Sequence, residues 1–248
     1  MESISSDLYQ PGGRAWQPNR PDIIHLLSSA THASIQPIYW GSNHTFLVTL
    51  DAGDQGQSLA VYKPARGEYP LYDFSSGSLY RREVATWLVN ALLGWAIVPP
   101  TVAASGVYGN GSVQLFIESP ATAEVEVYAL RRVALLDALV NNADRKSEHC
   151  IASLEGDLFA IDHGLTFHVQ PKLRTFLWHF AGQQFSRREI RDLKRLHTAL
   201  DQQGDPCATL LEQQLTRPEW RALRERLDRM LASGSFPNPR NKPVPYHW

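Results

Sequence analysis

Apolar residues recur along this chain with two different periods, and the change between them divides it. From Ile35 to Pro64 they come in short runs, IQPIYW, TFLVTL and SLAVYKP, separated by Gly41-Ser42-Asn43 and by DAGDQGQ. Runs of this length between turn-rich breaks predict three antiparallel strands. A short amphipathic helix, DIIHLLSSA, leads into them from Asp22. Between about Ser78 and Leu93 the spacing turns helical: Val84, Leu88, Ala91 and Leu92 form a stripe, Glu83 lies at its border, and Gly94 supplies the stop. Two more runs, AIVPPTVAA and SVQLFIE, joined by GVYGNG, complete a small sheet. The second half reads as mainly helical. Its first helix covers 127–142, with Leu130, Val133, Ala134, Leu136 and Val140 facing a core; a hairpin-like pair, HCIAS and LFAID around the turn LEGD, follows. Pro171 then suits the first turn of a helix over PKLRTFLWHFAG. Ser186 with Glu189, and Thr216 with Glu219, have capping-box spacing for two more, the first ending near Gly204.

The boundaries follow. Residues 1–21, polar and without apolar period, form a flexible tail; 22–118 form a sheet-rich lobe, 119–126 a linker, 127–234 a helical lobe and 235–248 a proline-rich tail. No internal repeat is present. The predicted class is α+β, with a small antiparallel sheet in the first lobe and helices in the second.

Composition narrows the function classes. A hydrophobic fraction of 43% suits a folded chain with a sizeable core, and a net charge of -1 argues against nucleic-acid binding by bulk charge. Only Cys150 and Cys207 occur, too few for a disulfide framework, which fits a reducing cytoplasm. The N-terminus lacks the basic-then-apolar order of a signal peptide. Val84 to Val98, the most apolar segment, is broken by Asn90 and Gly94 and stops at Pro99-Pro100. It falls short of the roughly 20 apolar residues of a spanning helix, so a cytoplasmic protein without membrane insertion is expected.

The candidate chemistry centres on Leu135 to His168, where Asp144 in N-A-D-R precedes a hairpin that returns the chain to Asp162-His163-Gly164. Phosphoryl transfer requires one carboxylate to receive the attacking hydroxyl's proton and another to hold metal on the phosphates. Upstream, Lys63 ends the strand Ala60-Val61-Tyr62-Lys63, a pattern whose lysine meets nucleotide phosphates, and Glu83 is placed to hold it. The Gly41-Ser42-Asn43 turn offers backbone N–H groups to phosphates. Adenine would fit the interlobe crossing at Leu115 and Phe116 through backbone hydrogen bonds. Singly, each feature reads as an ordinary turn, a solvated lysine or core packing. Their order is restrictive. Two other classes share these residues: a pseudokinase-type nucleotide-binding module, and a metal-dependent phosphoesterase built on Asp144, His149, Asp162, His163 and His168.

GSNHTFLV, AVYKP, REVA, SVQLFIE, LLDALVNNADRKSEHC and AIDHGLTFH, spanning about Gln36 to His168, resemble a short bacterial family related to phosphatidylinositol 3- and 4-kinases and to HipA-type kinases, all with an atypical protein-kinase-like fold. The resemblance implies a two-lobed kinase that uses ATP with Mg²⁺ or Mn²⁺ to phosphorylate a hydroxyl of a protein or small molecule. It implies that Lys63 binds the α- and β-phosphates, Glu83 orients it, Asp144 is the catalytic base, Asn142 braces the loop and Asp162 is the main metal ligand. Ser42 and Asn43 would cover the phosphates, and Gln114, Leu115 and Phe116 would hold adenine. His149 stands where many kinases carry the second metal-binding Asn. Imidazole prefers softer ions than magnesium, which implies a single-metal site, manganese preference or low activity, with Ser147 and Glu148 as alternative oxygen ligands. Lys172 and Arg174 read either as contacts for an anionic substrate or as solvated helix residues.

Overall fold

A computed structural model describes residues 16–39, 43–120, 129–202 and 204–239. Five antiparallel strands make the small lobe: β1 (Thr31–Ile38), β2 (Thr45–Asp51), β3 (Gln57–Pro64), β4 (Thr101–Gly106) and β5 (Gly109–Leu115), in the order β1-β2-β3-β5-β4. Strand β3 alternates strictly. Ser58, Ala60, Tyr62 and Pro64 are buried, while Lys63 lies on the opposite face. The Tyr62 side packs with α1 (Ile23–Ser29) into a small core that includes Val48, Leu50, Val113 and Leu115. Gly111 of β5 faces the end of β3, where any Cβ would collide with the Lys63 carbonyl, so glycine permits the close pairing that fixes Lys63.

The larger core belongs to α2 (Leu79–Leu92), α3 (Leu130–Val140), α4 (Arg187–Asp201), α5 (Pro206–Gln214) and α6 (Arg217–Ser233). Helix α2 buries polar Arg82, Glu83, Thr86 and Asn90 along with its apolar residues. A helix buried over most of its surface has little amphipathic signal to read, which is why Glu83 reads as a border residue. Both predicted capping boxes are present, at Ser186/Glu189 and Thr216/Glu219. A two-strand hairpin, β6 (Cys150–Ala152) with β7 (Leu158–Ala160), carries the chain from the Asp144 loop to Asp162.

Several expectations are corrected. The helix predicted from Pro171 is absent; one 3-10 turn, Trp178–Phe180, interrupts an irregular segment. Its amides have other acceptors, since Lys172 N–H bonds Asn141 Oδ1 and Arg174 N–H bonds Asn142 O. Strand β4 starts at Thr101 rather than Ala96, because the Asn90 side chain binds Ile97 N–H and Trp95 O. Helix α5, capped by Asp205, follows Gly204, where the apolar pattern predicts no helix. Two residues placed in the predicted tails are buried: Trp16, only 3% exposed, donates its indole N–H to Gln55 O at 3.0 Å, and Phe236 packs against Phe180 and Phe185. Isolated large aromatics bury themselves without leaving a periodic pattern. The predicted linker lies largely outside the described residues.

Candidate active site

Strand β3, helix α2 and the turn after β7 meet at one lysine. Lys63 Nζ lies 2.5 Å from Glu83 Oε1 and 3.0 Å from Asp162 Oδ1. The second Glu83 oxygen accepts the backbone N–H of His163 at 2.9 Å, so one carboxylate orients the lysine and anchors the turn that carries Asp162. Asp162 has φ +60°, a left-handed conformation that aspartate tolerates better than most residues. It leaves the side chain 50% exposed toward solvent. Burial works against the Lys63 charge, but Asp162 and Glu83 outweigh it and raise its pKa. Asp162 is held well below the carboxylate range, chiefly by the Lys63 charge, with burial opposing and His149 assisting. Both groups are therefore ionised at neutral pH.

The Asp144 loop is built from the end of α3. Asn141, in the left-handed conformation at φ 57°, terminates the helix, a role Asn fills well. Asn142 Nδ2 donates to Asp137 Oδ1 at 2.9 Å, and its Oδ1 accepts Asp144 N–H at 3.0 Å, so it braces the loop. Arg174 Nη2 reaches Asp144 Oδ1 at 2.8 Å while its Nε donates to Ala143 O at 2.9 Å; Lys146 Nζ lies 3.4 Å from Asp144 Oδ2. Beneath the loop, Arg145 and Asp137 form an ion pair with both side chains 0% exposed. Arg145 also donates to Ile161 O at 2.8 Å and approaches His163 Nε2 at 2.7 Å. A guanidinium has only donors, so this histidine nitrogen accepts and the proton sits on Nδ1. Burial and then Arg145 depress the His163 pKa well below its ordinary value.

His149 Nε2 stands 3.4 Å from Asp162 Oδ2. Burial lowers its pKa, with Asp162 opposing. Asp162 and His149 together offer a divalent cation one half-exposed carboxylate and one imidazole. Magnesium sites of nucleotide enzymes often use only one or two carboxylates and complete the shell with phosphates and water. Among the described residues no three His, Cys, Asp or Glu side chains group as a metal cage. Ser147 Oγ and Glu148 Oε2 lie 3.3 Å apart and pair with each other. His163 and His168 are not gathered with Asp162: one faces Arg145, the other bonds Gln170 N–H and meets Phe74 edge-on.

Other predicted residues are placed less directly. Asn43 Oδ1 accepts Tyr69 N–H at 2.7 Å, tying the β2 approach to the loop after β3, while Ser42 lies outside the described residues. Gln114 donates to Thr101 Oγ1 at 2.9 Å, and the amides of Leu115 and Phe116 bond Pro100 O and Leu59 O. Lys172 pairs with Asp73 at 2.6 Å. Asp137, Arg145, Lys146, Arg174 and His163 had been given no part in positioning the carboxylates. Asp137 did carry a signal: an acid within the apolar face of LLDALV.

The fold recurs in solved structures. The Golgi casein kinase superposes with a TM-score of 0.54 at 15% identity, covering 89% of this chain and 80% of its own; the same kinase with Mn/ADP bound gives 0.55 at 15% identity, over 86% and 74%. Hydra Fam20 with sugar gives 0.51 at 15% identity, over 85% and 86%. The architecture is thus that of an atypical kinase-like fold, with an antiparallel small lobe and a helical second lobe. No protein-family model matches the chain. Protein Rv2133c of Mycobacterium tuberculosis is 32% identical over 269 aligned positions, which cover 92% of this chain and 95% of that protein. At that identity and coverage, the chain belongs to the same family as Rv2133c.

Proposed function

We propose that the protein is an ATP-dependent phosphotransferase that moves the γ-phosphoryl group to a hydroxyl. The observation that carries this reading is the Lys63 ammonium held between Glu83 and Asp162. Such a pair presents a fixed positive charge to phosphates and a carboxylate for the metal that bridges them. Asp144, on its braced loop, receives the proton of the attacking hydroxyl. The half-exposed Asp162 and the adjacent His149 fit Mg²⁺ or Mn²⁺, whose chemistry here is to neutralise phosphate charge. Adenine meets the interlobe backbone around Gln114, Leu115 and Phe116. Because the Leu115 and Phe116 amides serve the sheet, its hydrogen bonds fall to the backbone from Ile117 on. The kinase-like solved structures, one with Mn/ADP bound, support the same chemistry. The kinship with phosphatidylinositol 3- and 4-kinases and HipA-type kinases belongs to this proposal, as does a cytoplasmic location, for which the free thiols of Cys150 and Cys207 speak. Among the described residues no helix is long and apolar enough to cross a membrane.

The deciding experiment is a thermal shift with ATP or GTP and magnesium, manganese or chelator, since a ligand of the native state raises the melting temperature. We expect a metal-dependent rise that Lys63→Ala and Asp162→Ala abolish. Asp144→Ala should keep the rise and lose transfer. No rise with any nucleotide would refute the reading. A pseudokinase is the second reading, favoured by His149 beside Asp162. It requires ATP binding without turnover and a cellular effect that survives Asp144→Asn.

A further inference from the structure

Both oxygens of Asp144 are engaged by cations. Oδ1 accepts from Arg174 at 2.8 Å, and Oδ2 faces Lys146 at 3.4 Å. An ionised carboxylate keeps about four lone-pair sites, so a hydroxyl that gives its proton to Asp144 bonds a remaining one and lies beside one of these cations. Arg174 presents the larger surface to an incoming group: its side chain is 41% exposed against 34% for Lys146, with its Nε held by Ala143 O. Carboxylate or phosphate oxygens match the paired donors of a guanidinium.

We infer that Arg174 selects the acceptor: a carboxylate or phosphate group beside the reacting hydroxyl binds the exposed guanidinium while that hydroxyl meets Asp144. This rests on the phosphotransfer reading and adds the acceptor's chemical class to it. In the step itself the acceptor O–H breaks and its proton passes to the Asp144 carboxylate. The acceptor oxygen bonds the γ-phosphorus as the bond to the bridging oxygen breaks, and that electron pair leaves with ADP.

The test measures ADP release by the purified full chain with ATP and Mn²⁺ or Mg²⁺. Acceptors are glycerol, glycerate, glycerol 3-phosphate and phosphatidylglycerol vesicles, the last two separating a free phosphate compound from a lipid headgroup. Wild type should favour at least one anionic acceptor over glycerol by about tenfold or more in kcat/KM, the scale of one charge-assisted contact. Arg174→Ala should remove that preference by slowing the anionic acceptor alone. Arg174→Lys should restore part of the preference. Equal use of glycerol and the anionic acceptors by wild type would overturn the inference, as would an equal fall for all acceptors in Arg174→Ala. A nucleotide-dependent thermal rise accompanying either result leaves the ATP site standing. Absence of both that rise and ADP release removes the phosphotransfer reading and this inference together.

Discussion

Arg145 has more to hold than any other side chain near the site. Within a fully buried setting it pairs with Asp137, meets His163 and binds the carbonyls of Ile161 and His149. A buried ion pair adds little over an apolar pair of equal volume, yet removing one partner leaves the other charged and dry. Arg145→Met should therefore cost about 3–5 kcal/mol in urea unfolding. A loss under about 1 kcal/mol would mean that Asp137 finds other partners. The meeting of Lys63, Glu83 and Asp162 is legible in the sequence because each sits at a strand end, on a helix or in a turn of recognisable spacing. Asp137 and Arg145 carry no assignment there, and His163 is read only in the phosphoesterase class. Their contact joins a helix, a loop and a turn, and no local period records which buried polar groups will meet.

Helix α2 shows the same limit at the scale of an element. Its position was predicted correctly, but a stripe of Val84, Leu88, Ala91 and Leu92 does not reveal that its polar side is buried as well. Arg82 pairs with Glu219 of α6 and donates to Thr166 O, while Thr86 Oγ1 lies 3.3 Å from Thr166 Oγ1. The residue beside Arg82 is Glu83, so the partner of Lys63 is fastened to the helical core and to the segment after Asp162. The pair is withdrawn from water, with side chains only 6% and 11% exposed, and burial lowers the Arg82 pKa with Glu219 opposing. Arg82→Met should cost about 3 kcal/mol by stranding Glu219, and should weaken the ATP-dependent thermal rise by loosening Glu83. An unchanged rise in a folded Arg82→Met protein would show that Lys63 is oriented without this anchor. The segment from Pro171 failed as a predicted helix for a related reason. Its local propensity lost to acceptors supplied by Asn141 and Asn142, 30 or so residues earlier.

Across the whole molecule, the two cores meet at the candidate site: Lys63 comes from a strand whose other face builds the sheet core, whereas Glu83 belongs to a helix packed in the larger one. ATP bound at Lys63 and Asp162 should therefore hold the cores together more firmly than either holds itself. Trp16 offers a way to test this, because it is buried in the sheet core with α1 and lies outside the residues proposed to bind nucleotide. Trp16→Ala should destabilise the sheet by about 3–5 kcal/mol, the usual cost of deleting a buried aromatic. Amide hydrogen exchange locates that loss. The amides of β2, β3 and β5 should exchange faster in Trp16→Ala, those of α3 and α4 should change little, and ATP with Mn²⁺ should restore much of the sheet's protection. Equal acceleration in both cores would mean that they unfold as one unit without nucleotide, and the Lys63–Glu83–Asp162 contact would then be a product of that unity rather than a joint that ATP closes.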